Sequence, residues 1–110
     1  MGSINVKSAE VLAVEQRESL KSQLTSAVQG YLDSRAQERN YDDIKSLCTY
    51  ATSTRLKFAG EAQAAVEWRD EVWMYCYVEL DKVLSGLRTA PTPEELIEEL
   101  PRLVWPNAPT

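Results

Sequence analysis

Histidine is absent from this 110-residue sequence, which removes the side chain that most often serves as a general base or metal ligand. The only two cysteines, Cys48 and Cys76, each lie in an apolar helical stripe and neither belongs to a CxxC pair. We expect buried free thiols there, the alternative being a disulfide. The four glycines are scattered, so no glycine-rich phosphate loop is present. The sequence therefore predicts a protein that is not an enzyme and holds no metal or cofactor.

Basic runs and long apolar stretches are missing as well. The net charge is −5 with a pI near 4.7, and the excess acidity lies within residues 56–110. Nucleic-acid binding needs clustered Lys and Arg. Because the sequence has no such cluster, it excludes a nucleic-acid-binding protein. No apolar run approaches the roughly 20 residues of a membrane span, and the first six residues lack the features of a secretion signal. We expect synthesis in the cytoplasm and no binding to nucleic acid or membrane.

Helical periodicity is what the sequence does contain. Residues 8–39 include no proline and a single glycine, and their apolar residues follow a narrow heptad seam. The seam is short for a coiled coil, so its partner could be another part of the chain or another subunit. Its members are Ala13, Arg17, Leu20, Leu24, Ala27 and Tyr31.

Three further helices are predicted. Asn40 is a candidate N-cap for the second, with Asp42 and Asp43 in its first turn, and polar residues 52–54 would end it. The third spans about 58–85 along a broad apolar arc, and Gly86 would stop it. The fourth begins with a capping box, Thr92-Pro93-Glu94-Glu95, and ends before Pro101.

These elements predict a small all-α fold. A long amphipathic N-terminal helix, residues 1–39, would serve docking or oligomerisation. Residues 40–106 would form a compact helical domain, made of a helical hairpin and a short C-terminal helix with an extended strip after it. Residues 107–110 would form a frayed tail.

Three tryptophans and five tyrosines supply the large amphipathic surfaces that anchor interfaces, although they could equally fill the core. The third helix carries more apolar surface than one packing face needs, because Met74 and Val78 fall among acidic residues. Either the strip around Leu103 and Trp105 folds back over them, or they form a partner-binding patch. The residues predicted to bind a partner are Leu20, Leu24, Tyr31, Trp68, Met74, Tyr75, Val78 and Trp105.

Two charged features need an explanation. Arg69 projects from the middle of the apolar arc, where a charge requires a partner. We predict a structural ion pair with Asp42 or Asp43, the alternative being a direct bond to a bound protein. The glutamates at 94, 95, 98 and 99 could suggest a divalent-metal or acid/base site, but a solvated helix face explains them better.

Several segments between residues 38 and 106 are distinctive. They read Glu-Arg-Asn-Tyr-Asp-Asp-Ile-Lys-Ser-Leu-Cys-Thr-Tyr-Ala-Thr-Ser-Thr at 38–54, Lys57-Phe58-Ala59, Ala64-Ala65-Val66-Glu67-Trp68-Arg69-Asp70, Pro91-Thr92-Pro93-Glu94-Glu95-Leu96, and a Leu-Pro…Trp-Pro ending at 100–106. Together they resemble a family of small tailed-bacteriophage and prophage proteins, usually regarded as tail-fibre assembly proteins or chaperones. Arg55-Leu56 departs from the polar, turn-forming pair expected there.

The resemblance implies a non-catalytic protein that binds the phage tail-fibre protein in the host cytoplasm during assembly and could stay on the virion tail fibre. It implies a homo-oligomer, a trimer if the protein follows the symmetry of its fibre. The alternative is another structural virion component, such as a connector or decoration subunit.

Overall fold

The computed structural model describes residues 8–107, which form helices with their connecting turns and, after the last helix, an irregular C-terminal segment. The elements are α1 (Ala9–Gln37), α2 (Ile44–Cys48), a 3₁₀ helix (Thr49–Thr52), α3 (Leu56–Leu84) and α4 (Pro93–Glu99). No β-strand occurs between residues 8 and 107, so the predicted all-α fold is confirmed. Most of the tail predicted to fray, residues 108–110, lies outside the described range, as do residues 1–7.

The join between α1 and α2 differs from the sequence prediction. Asn40 adopts a left-handed backbone conformation with φ of 69°, and the next amide, that of Tyr41, donates to the Ala36 carbonyl at 3.2 Å. This arrangement stops α1, because asparagine tolerates positive φ better than most residues. The prediction of Asn40 as an N-cap is wrong. Asp43 caps α2 instead and accepts from the Ser46 amide at 2.7 Å.

The predicted end of α3 and the predicted start of α4 are confirmed. Gly86 has φ of 77°, and the Leu87 amide donates to the Lys82 carbonyl at 2.8 Å, which closes the last turn of α3. At the start of α4, the Thr92 hydroxyl accepts from the Glu95 amide and the Glu95 carboxylate accepts from the Thr92 amide, at 3.1 and 3.0 Å. This reciprocal pair is the capping box that the sequence predicts.

The core lies at one end of an antiparallel pair formed by α1 and α3. Contacts that run from Arg39–Glu61 to Tyr31–Trp68 fix the antiparallel direction. Here α2 packs against both long helices, while α4 packs against α1. The buried core residues are Val28, Leu32, Ala36, Ile44, Leu47, Ala62, Ala65, Trp68, Val72, Leu96, Leu100 and Leu103.

The other end of the helix pair is open. No residue within 9–27 of α1 is buried. The radius of gyration is 18.8 Å, against about 13 Å for a globular chain of this length. Half of α1 therefore extends beyond the core.

Candidate protein-binding site

A groove of about 480 Å³ separates the open halves of α1 and α3. We call it the distal groove. Its end nearest the core is closed by Ala90, Pro91 and Leu96. The α1 wall consists of Val14, Arg17, Glu18, Leu20, Lys21, Leu24, Thr25 and Val28, and the α3 wall of Trp73, Cys76, Tyr77, Glu79, Leu80, Val83 and Leu84.

The spacing of the wall residues is that of helix packing surfaces. On α1, residues 14, 17, 21, 24 and 28 alternate steps of three and four, and on α3 residues 73, 77, 80 and 84 do the same. Such spacing places side chains in one row along a helix. Each wall thus presents a row of side chains that a further helix could pack against.

The two long helices are joined by an aromatic contact that lies on the core side of the groove. Tyr31 of α1 and Trp68 of α3 meet edge to face, with ring centroids 5.9 Å apart. Farther from the core along α1, Leu20 and Leu24 are only half-buried. Both long helices continue past the point where their own side chains fill the space between them.

The α3 side of the groove carries large exposed apolar side chains. Met74, Tyr77 and Val78 are 61%, 66% and 51% exposed, and Leu84 is also exposed. Isolated exposed apolar residues are ordinary, but a contiguous set beside an unfilled groove is typical of a protein-binding surface. We call the groove together with these four residues the distal surface.

A charge network fixes the base of this surface. Arg88, in the loop after α3, donates to Glu79 of α3 at 2.9 Å and to both carboxylate oxygens of Glu99 of α4, at 2.9 and 3.0 Å. The Tyr75 hydroxyl donates to Glu99 at 2.6 Å. The bonds from Arg88 and then Tyr75 hold the pKa of Glu99 at about 2. These contacts join α3, the loop and α4 into one support.

A second network closes the opposite end of the molecule. Glu61, 2% exposed, accepts from Arg39 and from the Tyr41 hydroxyl, both at 2.8 Å. Burial and then the bond to Glu61 raise the pKa of Tyr41. The Arg39 guanidinium also lies 5.0 Å from the centre of the Trp105 ring. A buried carboxylate with two donors is a structural element of the core.

The structure divides the eight predicted partner-binding residues. Leu20 and Leu24 line the distal groove, and Met74 and Val78 are exposed beside it. The other four turn inward and make intramolecular contacts. Tyr31 packs on Trp68, Tyr75 bonds Glu99 and Trp105 lies beneath Arg39.

Trp68 is buried, so the prediction that it binds a partner is wrong. It is 3% exposed, and its indole N–H donates to the Pro101 carbonyl at 2.7 Å. A side chain so enclosed offers no surface to a partner. The sequence predicts that Trp68 binds a partner, but the C-terminal segment packs against it and contributes to its burial.

The C-terminal strip packs at the core and leaves Met74 and Val78 uncovered. Leu103 is buried in the core, and its carbonyl accepts from Arg35 of α1 at 2.9 Å. Pro106 lies beside Gly60 near the start of α3. The strip therefore covers the end of the molecule that holds the core, and the alternative in which it folds back over the apolar residues of α3 is wrong.

The predicted ion pair of Arg69 with Asp42 or Asp43 is wrong. Within residues 8–107, the carboxylate that lies within ion-pair distance of Arg69 is that of Asp70, at 3.9 Å. Asp43 is occupied as the cap of α2. The Arg69 side chain is 35% exposed, so solvent reaches it and a buried ion pair is not required.

Several residues of the distal surface were not singled out from the sequence. Tyr77 and Leu84 are two of them, and the three-four spacing from Trp73 to Leu84 is the signal that could have identified them. Glu79 is another, and its partner Arg88 lies beside the surface in the loop after α3. Their pairing depends on the turn at Gly86, and no spacing rule predicts it.

The two cysteines lie in α2 and α3. Cys48 and Cys76 are half-buried free thiols, and burial is the main cause that raises the pKa of each. In the part of the chain that the structure describes, no group of three or more His, Cys, Asp or Glu side chains could hold a metal ion. None of the helices in that part has the length and apolar content that a membrane crossing requires.

Comparison with known proteins finds no relative. No protein-family model matches the chain, and neither the curated proteins nor the solved structures contain a significant match.

Proposed function

We propose that this chain is a non-catalytic protein that binds a phage tail fibre during assembly and acts as its chaperone. The distal surface is its binding site. The fibre segment that it takes is apolar and helical, because the groove walls present helix-packing rows.

One observation carries the proposal: the distal groove is unfilled and is bordered by Met74, Tyr77 and Val78, each more than half exposed. A folded chain of this size can bury only part of its apolar surface. Within residues 8–107, the larger group of exposed large apolar residues lies on the open halves of α1 and α3, and a smaller group lies elsewhere. The larger group is Val11, Leu12, Val14, Met74, Tyr77, Val78 and Leu84, and the smaller is Tyr50, Leu56, Phe58, Leu87 and Val104. That distribution favours a second polypeptide as the ligand.

The fibre is proposed as the partner because of the resemblance carried by residues 38–106. A fibre is an oligomer of long chains that expose apolar surface until their register is correct. A small acidic protein that covers such surface would keep the chains soluble meanwhile. The elongated shape supports this role, since half of α1 is available for contacts outside the core.

Co-expression with the tail-fibre polypeptide encoded beside this chain tests the proposal. The readouts are the soluble fraction of the fibre, its trimeric state and the amount of this protein that co-purifies. We expect the wild-type chain to raise the yield of soluble trimer and to co-purify with it. Fibre that is equally soluble and trimeric without this protein, and never bound to it, would contradict the proposal.

A matched pair of variants locates the surface. Val78→Asp places a charge on the distal surface, whereas Val104→Asp makes the same change at a 79% exposed site in the C-terminal strip. Valine and aspartate have similar helix propensities, which covers position 78 in α3, and position 104 is exposed outside the helices, so both variants should fold. We expect Val78→Asp to lose fibre binding and Val104→Asp to keep it, with circular dichroism as the check on folding. The opposite pattern would move the binding site away from α3.

A further inference from the structure

The extended half of α1 packs only sparsely within the described chain, although Leu24 contacts the edge of the core. No residue within 9–27 is buried, although the helix is continuous through this segment. Most helical stability in proteins comes from tertiary packing of one face, and unpacked helices of this length are marginal in water. A second polypeptide is therefore expected beside this half of α1 even in the absence of any fibre.

The α1 wall of the distal groove carries two cations that pair with no carboxylate of residues 8–107. Arg17 and Lys21 lie one turn apart and both face the groove. The ion pairs formed within that range use other cations, namely Arg35, Arg39, Arg69, Lys82 and Arg88. Glu18 also lies on this wall, so the three charged side chains leave it with a net positive charge toward whatever occupies the groove.

The outer side of α3 carries the complementary pattern. Asp70, Met74, Tyr77 and Asp81 follow at steps of four, three and four, so they form one row, which we call the acidic stripe. All four are exposed. The stripe has apolar side chains in its middle and a carboxylate at each end.

We propose that the free protein is a two-fold symmetric dimer, in which the acidic stripe of each copy lies against the distal groove of the other. Apolar contact comes from Met74 and Tyr77 on the groove walls. Arg17 and Lys21 attract the carboxylates of Asp70 and Asp81 of the second copy. Opposite charges across the contact set partner choice and register.

Symmetry permits this arrangement because stripe and groove are continuous. Tyr77 belongs to both, since it lines the groove and stands in the middle of the stripe. A two-fold contact requires one self-complementary patch that occurs on both copies. Pairing would also place two copies of α1 and two of α3 side by side as a four-helix bundle, which covers residues 9–27.

Sedimentation velocity on the purified chain tests the dimer. We expect twice the 12.4 kDa monomer mass. Two double variants reverse the charges, Arg17→Glu with Lys21→Glu and Asp70→Lys with Asp81→Lys. Each should raise the dimer Kd by about tenfold or more, because like charges then meet across the contact. Combining all four changes should return Kd to within about threefold of wild type.

Lys45→Glu with Lys57→Glu is the control, because it changes the net charge as much as the first double variant does but lies away from the groove. It should leave Kd unchanged, with circular dichroism reporting the fold of every variant. A wild-type monomer or trimer, a dimer indifferent to both reversals, or a quadruple variant that stays weak would overturn the proposal. The fibre-binding role is judged separately. A monomer that still keeps the fibre soluble would refute only the dimer. A dimer that fails to keep the fibre soluble would refute only the chaperone role.

Discussion

The indole nitrogen of Trp68 lies 2.7 Å from the carbonyl oxygen of Pro101 and donates a hydrogen bond to it. This bond holds the C-terminal segment against α3, on the same side where the Tyr31 ring meets Trp68 edge-on. The most enclosed tryptophan is therefore a structural link between distant parts of the chain, and the protein-binding surface lies farther along α3.

Replacing Trp68 should cost stability and replacing Trp73 should not. Trp68→Phe removes the donor and leaves the partly buried Pro101 carbonyl without it, so we expect the free energy of unfolding to fall by about 1–3 kcal/mol. Trp73 lines the open groove, and Trp73→Phe should cost less than about 1 kcal/mol. Urea unfolding of both variants measures the difference. Equal losses would contradict the structural role of Trp68.

Gly86 and Gly30 are both exposed and should respond to alanine in opposite directions. Gly86 has φ of 77° and no heavy atom within 4 Å of the place that a Cβ would occupy, so Gly86→Ala tests backbone strain alone. We expect a loss of about 1 kcal/mol. Gly30 lies inside α1 with equal space, and Gly30→Ala should gain about 0.5–1 kcal/mol. Thermal unfolding of both checks this, and a stabilised Gly86→Ala would refute the assigned turn.

Acid should weaken the network around Arg88 in a defined pH window. Bonds from Arg88 and Tyr75 lower the pKa of Glu99 from 4.5 to about 2. A carboxyl group whose pKa is lowered by folding contributes stability at pH values above its ordinary pKa. That stability is lost as the pH falls toward the pKa of the folded state. Between pH 4.5 and about 2, the stability of Glu99→Gln should therefore depend less on pH than that of wild type. Urea titrations at several pH values test this, and parallel curves would exclude the pair.

Alkali should reveal the other side of the same contact. Burial and then the bond to Glu99 raise the pKa of Tyr75 from 10.0 to about 12. A tyrosine whose pKa is raised by folding contributes stability at pH values below its ordinary pKa. That stability is lost as the pH rises through the pKa of the folded state. Ultraviolet titration of tyrosinate should show one group near pH 12 in wild type that disappears in Tyr75→Phe. An unchanged titration curve would contradict the assignment.

The helices were predictable because their signals are local. Periodicity set the long helices, Gly86 and the Thr92–Glu95 capping box set two ends, and each depends on residues within one or two turns. Asn40 was misjudged for the same reason. Asparagine suits both an N-cap and a left-handed helix stop, and only the position of the Tyr41 amide relative to Ala36 decides between them.

The candidate site was predictable only in part, because it depends on how distant segments pack. Periodicity identified the excess apolar surface of α3 at Met74 and Val78. It could not say that the C-terminal segment would cover Trp68 and leave Met74 exposed, since that follows from the path of the chain after Pro101. The partner of Arg69 was missed likewise, because Asp43 was already engaged by the backbone of α2.

Site-specific photo-cross-linking tests most directly whether the distal surface binds the fibre. A photoreactive amino acid replaces Tyr77 on the distal surface or, as control, Val104 in the C-terminal strip, and the chain is irradiated in cells that produce the fibre. We predict that position 77 links this chain to the fibre polypeptide and that position 104 does not. Fibre captured from position 104 while position 77 captures none would contradict fibre binding at the distal surface.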